Sequence, residues 1–262
     1  MVRKLDLEIA LSKIGQHPCP KAYLEQYTIP PAVAAQLLHM AAYTYDDLIG
    51  KAVADLGCGT GRLAIGSALL GAKEVIGVDV DKIATKTALK NAEKLGVKRQ
   101  TQWITADVST IRGSFDTVLQ NPPFGVQKRR ADRKFLETAM RIGRRIYSLH
   151  KSIRKATKPA AKSRATSIAL IPNAPSPFLK GLIEGHGGQI KALYTLPIHV
   201  PYMFDFHRKR KHKVLVDLYV IEAHLQPEKT PSKPVSRTRN KEPATSFPKS
   251  KGLFEGAREK DN

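Results

Sequence analysis

Short apolar runs alternate with segments of helical spacing across residues 31–223, and this alternation constrains the fold more than any other feature of the chain. The apolar runs predict seven strands, at residues 51–56, 74–78, 102–106, 115–120, 167–171, 189–196 and 214–223. The helical segments predict five helices, at residues 31–47, 62–70, 81–95, 133–147 and 177–184. Because strands separated by one helix form βαβ units, we expect an α/β fold with a seven-stranded, mostly parallel sheet and helices on both faces.

The N-terminal and C-terminal parts of the chain predict a helical cap, a strand hairpin and a disordered tail. No helical segment separates the last two predicted strands, so we expect a hairpin that adds an antiparallel edge strand. One domain is expected over residues 1–225, with residues 1–50 as an N-terminal helical cap. Residues 226–262 are rich in Pro, Ser, Thr and charge, so they predict a disordered basic tail that buries too little apolar surface to fold.

The chain is strongly basic. Lys and Arg total 44 against 23 Asp and Glu, a net charge of +21. More than half of this excess lies in residues 128–164, where 14 basic residues accompany two acidic ones, and a second cluster covers residues 207–213. This distribution favours a nucleic-acid partner, because phosphate neutralisation supplies most non-specific affinity for nucleic acid. A solvated basic surface is the alternative.

Cysteine content and hydropathy exclude several classes of protein. Cys19 and Cys58 are too few for a disulfide scaffold or a four-cysteine zinc site. No run of 18 uncharged apolar residues is present, and the N-terminus lacks a signal-peptide core. We therefore expect a cytoplasmic protein without a membrane span or a metal site.

A glycine-rich loop follows the first predicted strand. Residues 55–61 read Asp-Leu-Gly-Cys-Gly-Thr-Gly. The glycines at positions 57, 59 and 61 let the backbone turn sharply and approach a ligand without an intervening Cβ. Asp79, 18 residues after Gly61, ends the second strand, where a carboxylate accepts hydrogen bonds from ribose hydroxyls. This order of elements predicts a nucleoside cofactor, and a tight turn of no other function is the alternative.

The loop resembles motif I of class I S-adenosylmethionine-dependent methyltransferases. In that class, an acid after the third strand accepts a hydrogen bond from the adenine amino group of the cofactor. Asp107 stands at this position, and the resemblance implies that role for it. A side chain that caps a helix or turn is the alternative for Asp107.

The fourth predicted strand ends in Asn121-Pro122-Pro123-Phe124. Two prolines cannot donate to a sheet ladder, so the strand stops and Asn121 is held at its carboxyl edge. An exocyclic amine is a poor nucleophile, and the Asn121 side-chain oxygen and Pro122 carbonyl can accept its N–H groups and stabilise the developing charge. Phe124 can stack on an extruded base. The motif resembles the signature of amino-methyltransferases acting on adenine N6, cytosine N4, guanine N2 or a glutamine amide; an ordinary proline-rich loop is the alternative.

Seven motifs resemble one family, the methyltransferase-like-five family and its archaeal relatives. They lie at residues 24–27, 44–47, 54–59, 115–118, 121–125, 147–151 and 206–208. The resemblance implies an enzyme that uses S-adenosylmethionine to methylate N6 of an adenosine in small-subunit ribosomal RNA. It also implies a small zinc-binding activator protein of the Trm112 type, which would pair with an exposed sheet edge at the third strand, around Trp103 and Ile104.

The motifs and the resemblance together give the candidate site. The catalytic candidates are Asn121, Pro122, Pro123 and Phe124. The cofactor-binding candidates are Gln26, Thr28, Asp55, Gly57, Cys58, Gly59, Gly61, Asp79, Val80, Asp107, Val108 and Asn121. The RNA-binding candidates are Lys128, Arg129, Arg130, Arg133, His150, Lys151, His207, Arg208 and Lys209.

Several readings stay open at this point. The family has a threonine two residues after the tyrosine, where this chain has Ile29, so Thr28 departs from the pattern by one position. Tyr147, His150 and Lys151 either line an RNA channel or end a helix whose apolar side faces the core. A guanine-N2 methyltransferase of ribosomal RNA and a non-catalytic RNA-binding ribosome-assembly factor are the alternative functions.

Overall fold

The computed structural model describes residues 1–124, 131–153, 171–172, 174–201 and 211–224. Contacts divide the chain into two units, Met1–Gln226 and Pro227–Asn262, and all described residues belong to the first. The predicted tail and residues 167–170 of the fifth predicted strand lie outside the described residues. Within the described ranges, no helix combines the length and the apolar character that a bilayer crossing requires.

Six α-helices and eight strands occur in these ranges. The helices are α1 (Lys4–Ser12), α2 (Pro31–Tyr43), α3 (Arg62–Leu69), α4 (Lys82–Lys94), α5 (Ala131–Ile142) and α6 (Pro177–Gly185). The strands are β1 (Ala52–Leu56), β2 (Glu74–Asp79), β3 (Thr101–Thr105), β4 (Phe115–Gln120), β5 (Gly143–Lys151), β6 (Ile171–Pro172), β7 (Gly188–Pro201) and β8 (Lys211–Ala223).

The strands form one sheet in the order β3-β2-β1-β4-β5-β8-β7-β6. Strands β1 to β5 pair in parallel, and β8 runs antiparallel to both β5 and β7. The predicted α/β class and the predicted hairpin of the last two strands are confirmed. One detail differs from the expectation: β5 is an eighth strand that was not predicted, whereas β6 overlaps the fifth predicted strand at Ile171 and forms, with β7 and β8, the antiparallel side of the sheet.

The sheet separates two buried apolar clusters. Helices α1 to α4 contribute to the first cluster, and α5 and α6 contribute to the second. Successive residues of β8 alternate between the clusters, since Leu218 and Val220 belong to the first and Tyr219 and Ile221 to the second. This alternation follows from the two-residue period of a strand, and it shows that the sheet is covered on both faces.

The helix predicted over residues 133–147 is wrong in its second part. Helix α5 ends at Ile142, and β5 begins at the next residue without a loop. Strand β5 lies between β4 and β8, and its residues Ile146 and Tyr147 are buried in opposite clusters. The spacing of Ile142, Ile146 and Leu149 continues the helical period of α5 into β5, so periodicity alone does not place the boundary.

Gly143 makes the abrupt change from helix to strand possible. A Cβ added there would lie 2.4 Å from Val118 Cγ2 on β4 and 3.1 Å from the Ala139 carbonyl oxygen of α5. The backbone at this residue therefore contacts both neighbouring elements directly, and a side chain has no room.

We expect Gly143→Ala to lower the free energy of unfolding by about 1–3 kcal/mol, because the added methyl overpacks a well-filled interior. Guanidinium unfolding measures this. The matched control is Gly181→Ala in α6, where nothing lies within 4 Å of the added Cβ. That change should be neutral or stabilise by up to about 1 kcal/mol through helix propensity. Equal stability of the two variants would contradict the role assigned to Gly143.

Candidate functional site

A cavity of about 400 Å³ opens where β1, β2 and β4 end. The predicted residues that line it are Gln26, Thr28, Asp55, Gly57, Cys58, Gly59, Asp79, Val80, Asp107, Val108, Asn121 and Pro123. They come from loops at the carboxyl ends of parallel strands and from an N-terminal segment, residues 17–29. This is the place where an open α/β sheet binds its ligands.

The glycine loop is shaped for close approach of a ligand. Gly57 and Gly59 have φ angles of 71° and 54°, in the left-handed region that favours glycine. The Gly59 N–H donates to Asp79 Oδ2 over 2.9 Å, which fastens the loop to the end of β2. Nothing lies within 4 Å of a Cβ added at Gly59, so its backbone borders open space.

Gly61 and Cys58 have different surroundings from that of Gly59. A Cβ added at Gly61 would lie 2.6 Å from Trp103 Cη2, and Gly61 does not line the cavity. This glycine allows the loop to pack on β3, and its contact with the cofactor stays a prediction. Cys58 is buried, and its burial raises the pKa of the thiol, in keeping with a packed residue.

Two buried carboxylates stand beside the loop. Asp55 Oδ2 accepts the Ala64 N–H over 3.0 Å, and burial raises the pKa of Asp55 to about 7. The Asp79 carboxylate accepts the N–H groups of Gly59 and Asp81, and burial raises its pKa as well. Backbone amides thus hold both acids in place at the cavity wall.

Asp107 lies in a more open part of the site. Its Oδ1 accepts the Ser109 N–H over 2.9 Å and its Oδ2 accepts from Lys134 Nζ over 2.5 Å. The hydrogen bonds from Lys134 and Ser109 lower the pKa of Asp107 to about 2. Asp107 therefore caps the turn that follows β3, and it also lines the cavity.

The N-terminal strap, residues 17–29, closes one side of the cavity. Asp81 anchors it: Oδ2 accepts from Gln26 Nε2 over 2.9 Å and lies 3.3 Å from both His17 Nε2 and Lys21 Nζ. Burial alone would raise the pKa of Asp81, but hydrogen bonds, led by the one from Gln26, lower it to about 2. The Gln26 carbonyl accepts the Lys21 N–H, so both ends of this amide are already engaged within the protein.

Both residues at the threonine position, Thr28 and Ile29, line the cavity, and the Ile29 side chain is also buried in the first apolar cluster. The Ile29 carbonyl accepts from Arg62 Nη1 over 2.5 Å. Burial lowers the pKa of this guanidinium to about 10. Arg62 thereby ties the end of the strap to the first turn of α3.

The loop after β4 supplies an unused acceptor. Asn121 lines the cavity, and its Oδ1 is buried without a hydrogen-bond partner among the described residues. Pro122 is buried, and Pro123 lines the cavity. The Phe124 ring packs against Tyr27, with centroids 5.1 Å apart and planes tilted by 54°. An unpaired buried carbonyl is costly, so its presence at a cavity wall points to a ligand that donates to it.

Sequence reasoning missed several residues of the cavity wall, among them Tyr27, Thr60 and Phe135. Within the described residues, Tyr27 Oη and Thr60 Oγ1 are buried without partners. The ring of Phe135 reaches the loop from α5, since a Cβ at Gly57 would lie 2.8 Å from Phe135 Cε1. Tyr27 and Thr60 lie inside motifs that the sequence analysis identified, so they could have been predicted. Phe135 lies on α5, outside these motifs, and nothing in the sequence indicated its contact with the glycine loop.

The predicted RNA-binding residues fall into three groups. Six lie outside the described residues: Lys128, Arg129, Arg130, His207, Arg208 and Lys209. Arg133 and Lys151 are exposed, and Arg133 Nε donates to Glu137 over 2.7 Å. His150 is only 4% exposed, inside β5, so the predicted RNA contact of His150 is wrong. Tyr147 is also buried and donates to Asp47 over 2.6 Å, so it does not line an RNA channel.

S-adenosylmethionine fits the lining of this cavity. The open space at Gly59 allows close approach to the backbone, and Asp79 offers carboxylate oxygens for ribose hydroxyls. Asp107 offers an acceptor for the adenine amino group. Because Lys134 already donates to Asp107, this contact requires Lys134 to share or leave that oxygen.

Replacement of Asp55 by Asn tests the burial of its carboxyl group. The pKa of Asp55 is about 7 in the folded chain against about 4 when unfolded, so ionisation costs stability as the pH rises between these values. The variant keeps an acceptor for Ala64 but cannot ionise. Its free energy of unfolding, relative to that of the parent chain, should rise by on the order of 2–4 kcal/mol between pH 4 and pH 8.

Guanidinium unfolding of both chains across this range measures the difference. Asp116→Asn is the exposed control, because Asp116 also accepts one backbone N–H, from Ala52 over 2.9 Å. A stability difference between Asp55→Asn and the parent chain that does not change with pH would count against a buried, hard-to-ionise Asp55.

Known proteins resemble this chain over two different lengths: one family model matches its central part, and several relatives match most of it. A family model described as Ribosomal protein L11 methyltransferase (PrmA) matches residues 35–122. Protein MJ0284 of Methanocaldococcus jannaschii is 37% identical over 85% of this chain and 95% of the relative. Protein PH1948 of Pyrococcus horikoshii has a crystal structure that matches at a TM-score of 0.71 and 37% identity, covering 85% of this chain and 98% of that one.

The rRNA N(6)-adenosine-methyltransferase Mettl5 of Drosophila melanogaster is 34% identical over 82% of this chain and 94% of its own length. The likeness to the L11 methyltransferase model is confined to the stretch from α2 to the first proline after β4. Because the likeness to Mettl5 instead extends over nearly the full length of that enzyme, the chain belongs to the METTL5 family of rRNA N(6)-adenosine-methyltransferases.

Proposed function

We propose that this protein transfers a methyl group from S-adenosylmethionine to N6 of an adenosine in small-subunit ribosomal RNA, and that it works in the cytoplasm. The observation that carries the proposal is the unpaired Oδ1 of Asn121, a buried acceptor in the same cavity as the glycine loop and its two acids. The proposed methyltransferase domain spans residues 1–225, with the basic tail as an appendage.

The reaction needs a group that grips an amine. The adenine N6 lone pair is delocalised into the ring, so the nitrogen attacks poorly until its N–H groups are bound. Asn121 Oδ1 can accept one N–H and the Pro122 carbonyl the other, which favours positive charge developing on nitrogen. S-adenosylmethionine supplies an electrophilic methyl group when bound. No strong base is needed, because the N–H becomes acidic once the amine is alkylated.

The surroundings of Asn121 suit an extruded base. Phe124 and Tyr27 present two aromatic rings beside the cavity, and aromatic rings stack on unstacked bases. Arg133 is exposed on α5, which follows the loop in the chain. Lys151 is exposed at the end of β5, the strand that pairs with β4. We infer that these cations, together with the basic residues 128–130 and 207–209, bind the phosphates around the target nucleotide.

Nucleoside mass spectrometry tests the function directly. The protein is incubated with small-subunit ribosomal RNA and labelled S-adenosylmethionine, and the RNA is digested. Label in N6-methyladenosine is the expected result. Label in N2-methylguanosine, or none with the activator protein present, would overturn the proposed substrate.

Asn121→Ala should lower methyl transfer at least 100-fold, since a lost acceptor at the reacting atom costs about 10²–10³ in rate. Cofactor affinity, measured by calorimetry, should stay within a few-fold of that of the parent chain. Asn121→Asp keeps an acceptor oxygen at the same place and should retain measurable activity. If Asn121→Ala loses cofactor binding and transfer together, Asn121 is structural and the proposed mechanism fails.

We further propose that a zinc-binding activator of the Trm112 type covers the edge strand β3. This strand ends the sheet on one side of the described fold, so its outer backbone groups are open to pairing. Ile104 on β3 is 37% exposed, and Val80, which follows β2, and Ile83 on α4 are also exposed apolar residues. An apolar edge of this kind suits a partner that adds a strand and shields side chains.

Ile104→Lys should weaken binding of a Trm112-type protein at least 10-fold, because it places a charge in the apolar patch that the partner covers. Phe178→Lys is the control, as Phe178 is 51% exposed on α6, which packs against β7 at the other end of the sheet. Calorimetry with the purified activator measures both. Unchanged affinity for Ile104→Lys would place the partner elsewhere.

A further inference from the structure

A chain of polar side chains runs from the end of β4 through β5 to α5. Gln120 Nε2 donates to Ser148 Oγ over 2.8 Å, and Ser148 Oγ lies 2.6 Å from His150 Nε2. His150 Nδ1 lies 3.8 Å from Asp132 Oδ2. These four residues, the β4–α5 polar chain, are separate from the cavity lining.

One assignment of donors and acceptors fits the links from Gln120 to His150, although Gln120 Oε1 is buried without a partner among the described residues. The 3.8 Å between His150 Nδ1 and Asp132 Oδ2 is an electrostatic contact, longer than a hydrogen bond. Because Ser148 Oγ accepts from Gln120, its own hydrogen is available to His150 Nε2, which leaves the ring proton on Nδ1, toward Asp132. The ring of Tyr219 stands edge-on to His150, with centroids 5.4 Å apart and planes at 88°. Packing and hydrogen bonding together fix the orientation of the imidazole.

Burying these polar side chains costs folding free energy, so their presence calls for a functional explanation. Gln120 and Ser148 are fully buried and His150 is 4% exposed, so each loses its hydration on folding. The backbone pairing of β4 with β5 already sets Gln120 opposite Ser148, and apolar side chains would serve this pairing as well. Packing alone therefore does not account for the polar chain.

The two ends of the polar chain bracket the catalytic loop in the sequence. Gln120 is the last residue of β4 and directly precedes Asn121. Asp132 lies in the first turn of α5, the element that follows the loop. His150, on β5, is the link between these two ends.

We propose that His150 is a positioning residue for methyl transfer: through Ser148 and Gln120 on one side and Asp132 on the other, it fixes both ends of the loop that carries Asn121. This inference rests on the proposed function and deepens it. Asn121 Oδ1 must meet an amine N–H within hydrogen-bond distance, and a displacement of about 1 Å in such a site costs about 100-fold in rate.

Substitutions of Asp132 give the sharpest test, because its side chain is 26% exposed and its loss leaves the core intact. Asp132→Ala should lower kcat for RNA methylation about 10- to 100-fold, with the Kd for S-adenosylmethionine nearly unchanged. Asp132→Asn keeps an oxygen facing the Nδ1–H and should recover most of the activity. Glu137→Ala is the matched control on the same helix, since Glu137 bonds only Arg133 at the surface among the described residues.

Hydrogen exchange supplies a readout that does not depend on activity. A peptide covering residues 120–124 should exchange faster in Asp132→Ala and in His150→Phe than in the parent chain, and Asp132→Asn should restore slow exchange. If the parent chain methylates no RNA, the proposed function fails while the exchange result still decides this inference. Parent-like kcat and exchange in Asp132→Ala, or equal loss in Asp132→Ala and Asp132→Asn, would overturn it.

Discussion

Parallel pairing of β1 with its two neighbours is the constraint on which the site depends. Leu56 pairs with Val78 of β2 and with Gln120 of β4. The next residue of each strand is therefore at the same level across the sheet, and those residues are Gly57, Asp79 and Asn121. A glycine turn, a ribose-type acid and an amine acceptor thus meet because three strands are in register, although they are far apart in the chain.

The electrostatics of the molecule divide between its surface and its cavity. The chain as a whole carries +21, whereas Asp55, Asp79 and Asp107 gather acidic groups at the cavity. A sulfonium cofactor is a cation and an RNA substrate is a polyanion, so the two charge distributions suit two different ligands. Backbone N–H groups hold the two buried acids in place, while burial still raises the pKa of both.

The parts of the site that were predictable lie within single continuous motifs. The glycine loop, Asp79 and Asn121 follow strand ends directly, so local sequence and the α/β pattern were enough to bring them together. The contacts made by Asp81, Lys134 and Phe135 were not predictable, because each acts on a partner from another element. The side chain at Ile29 shows the same limit, since only the fold reveals that it belongs to the core.

The boundary between α5 and β5 was missed for a related reason. Both elements are apolar on the sides that pack, and no turn residues other than one glycine separate them. A helix was predicted where a strand exists whose residues 146–150 are buried, and His150 was therefore expected to face RNA. The structure changes its role from a candidate RNA-binding residue to a buried hydrogen-bonding group.

Because no loop separates α5 from β5 at Gly143, the length of α5 and the register of β5 cannot change independently. One inserted residue would either rotate the helix by about 100° or move every β5 side chain to the opposite face. In the second case Tyr147 and His150 would exchange surroundings with their neighbours, and two apolar clusters would receive the wrong side chains. Natural length variation in this fold should therefore concentrate in segments flanking α5 and β5 and be absent between them.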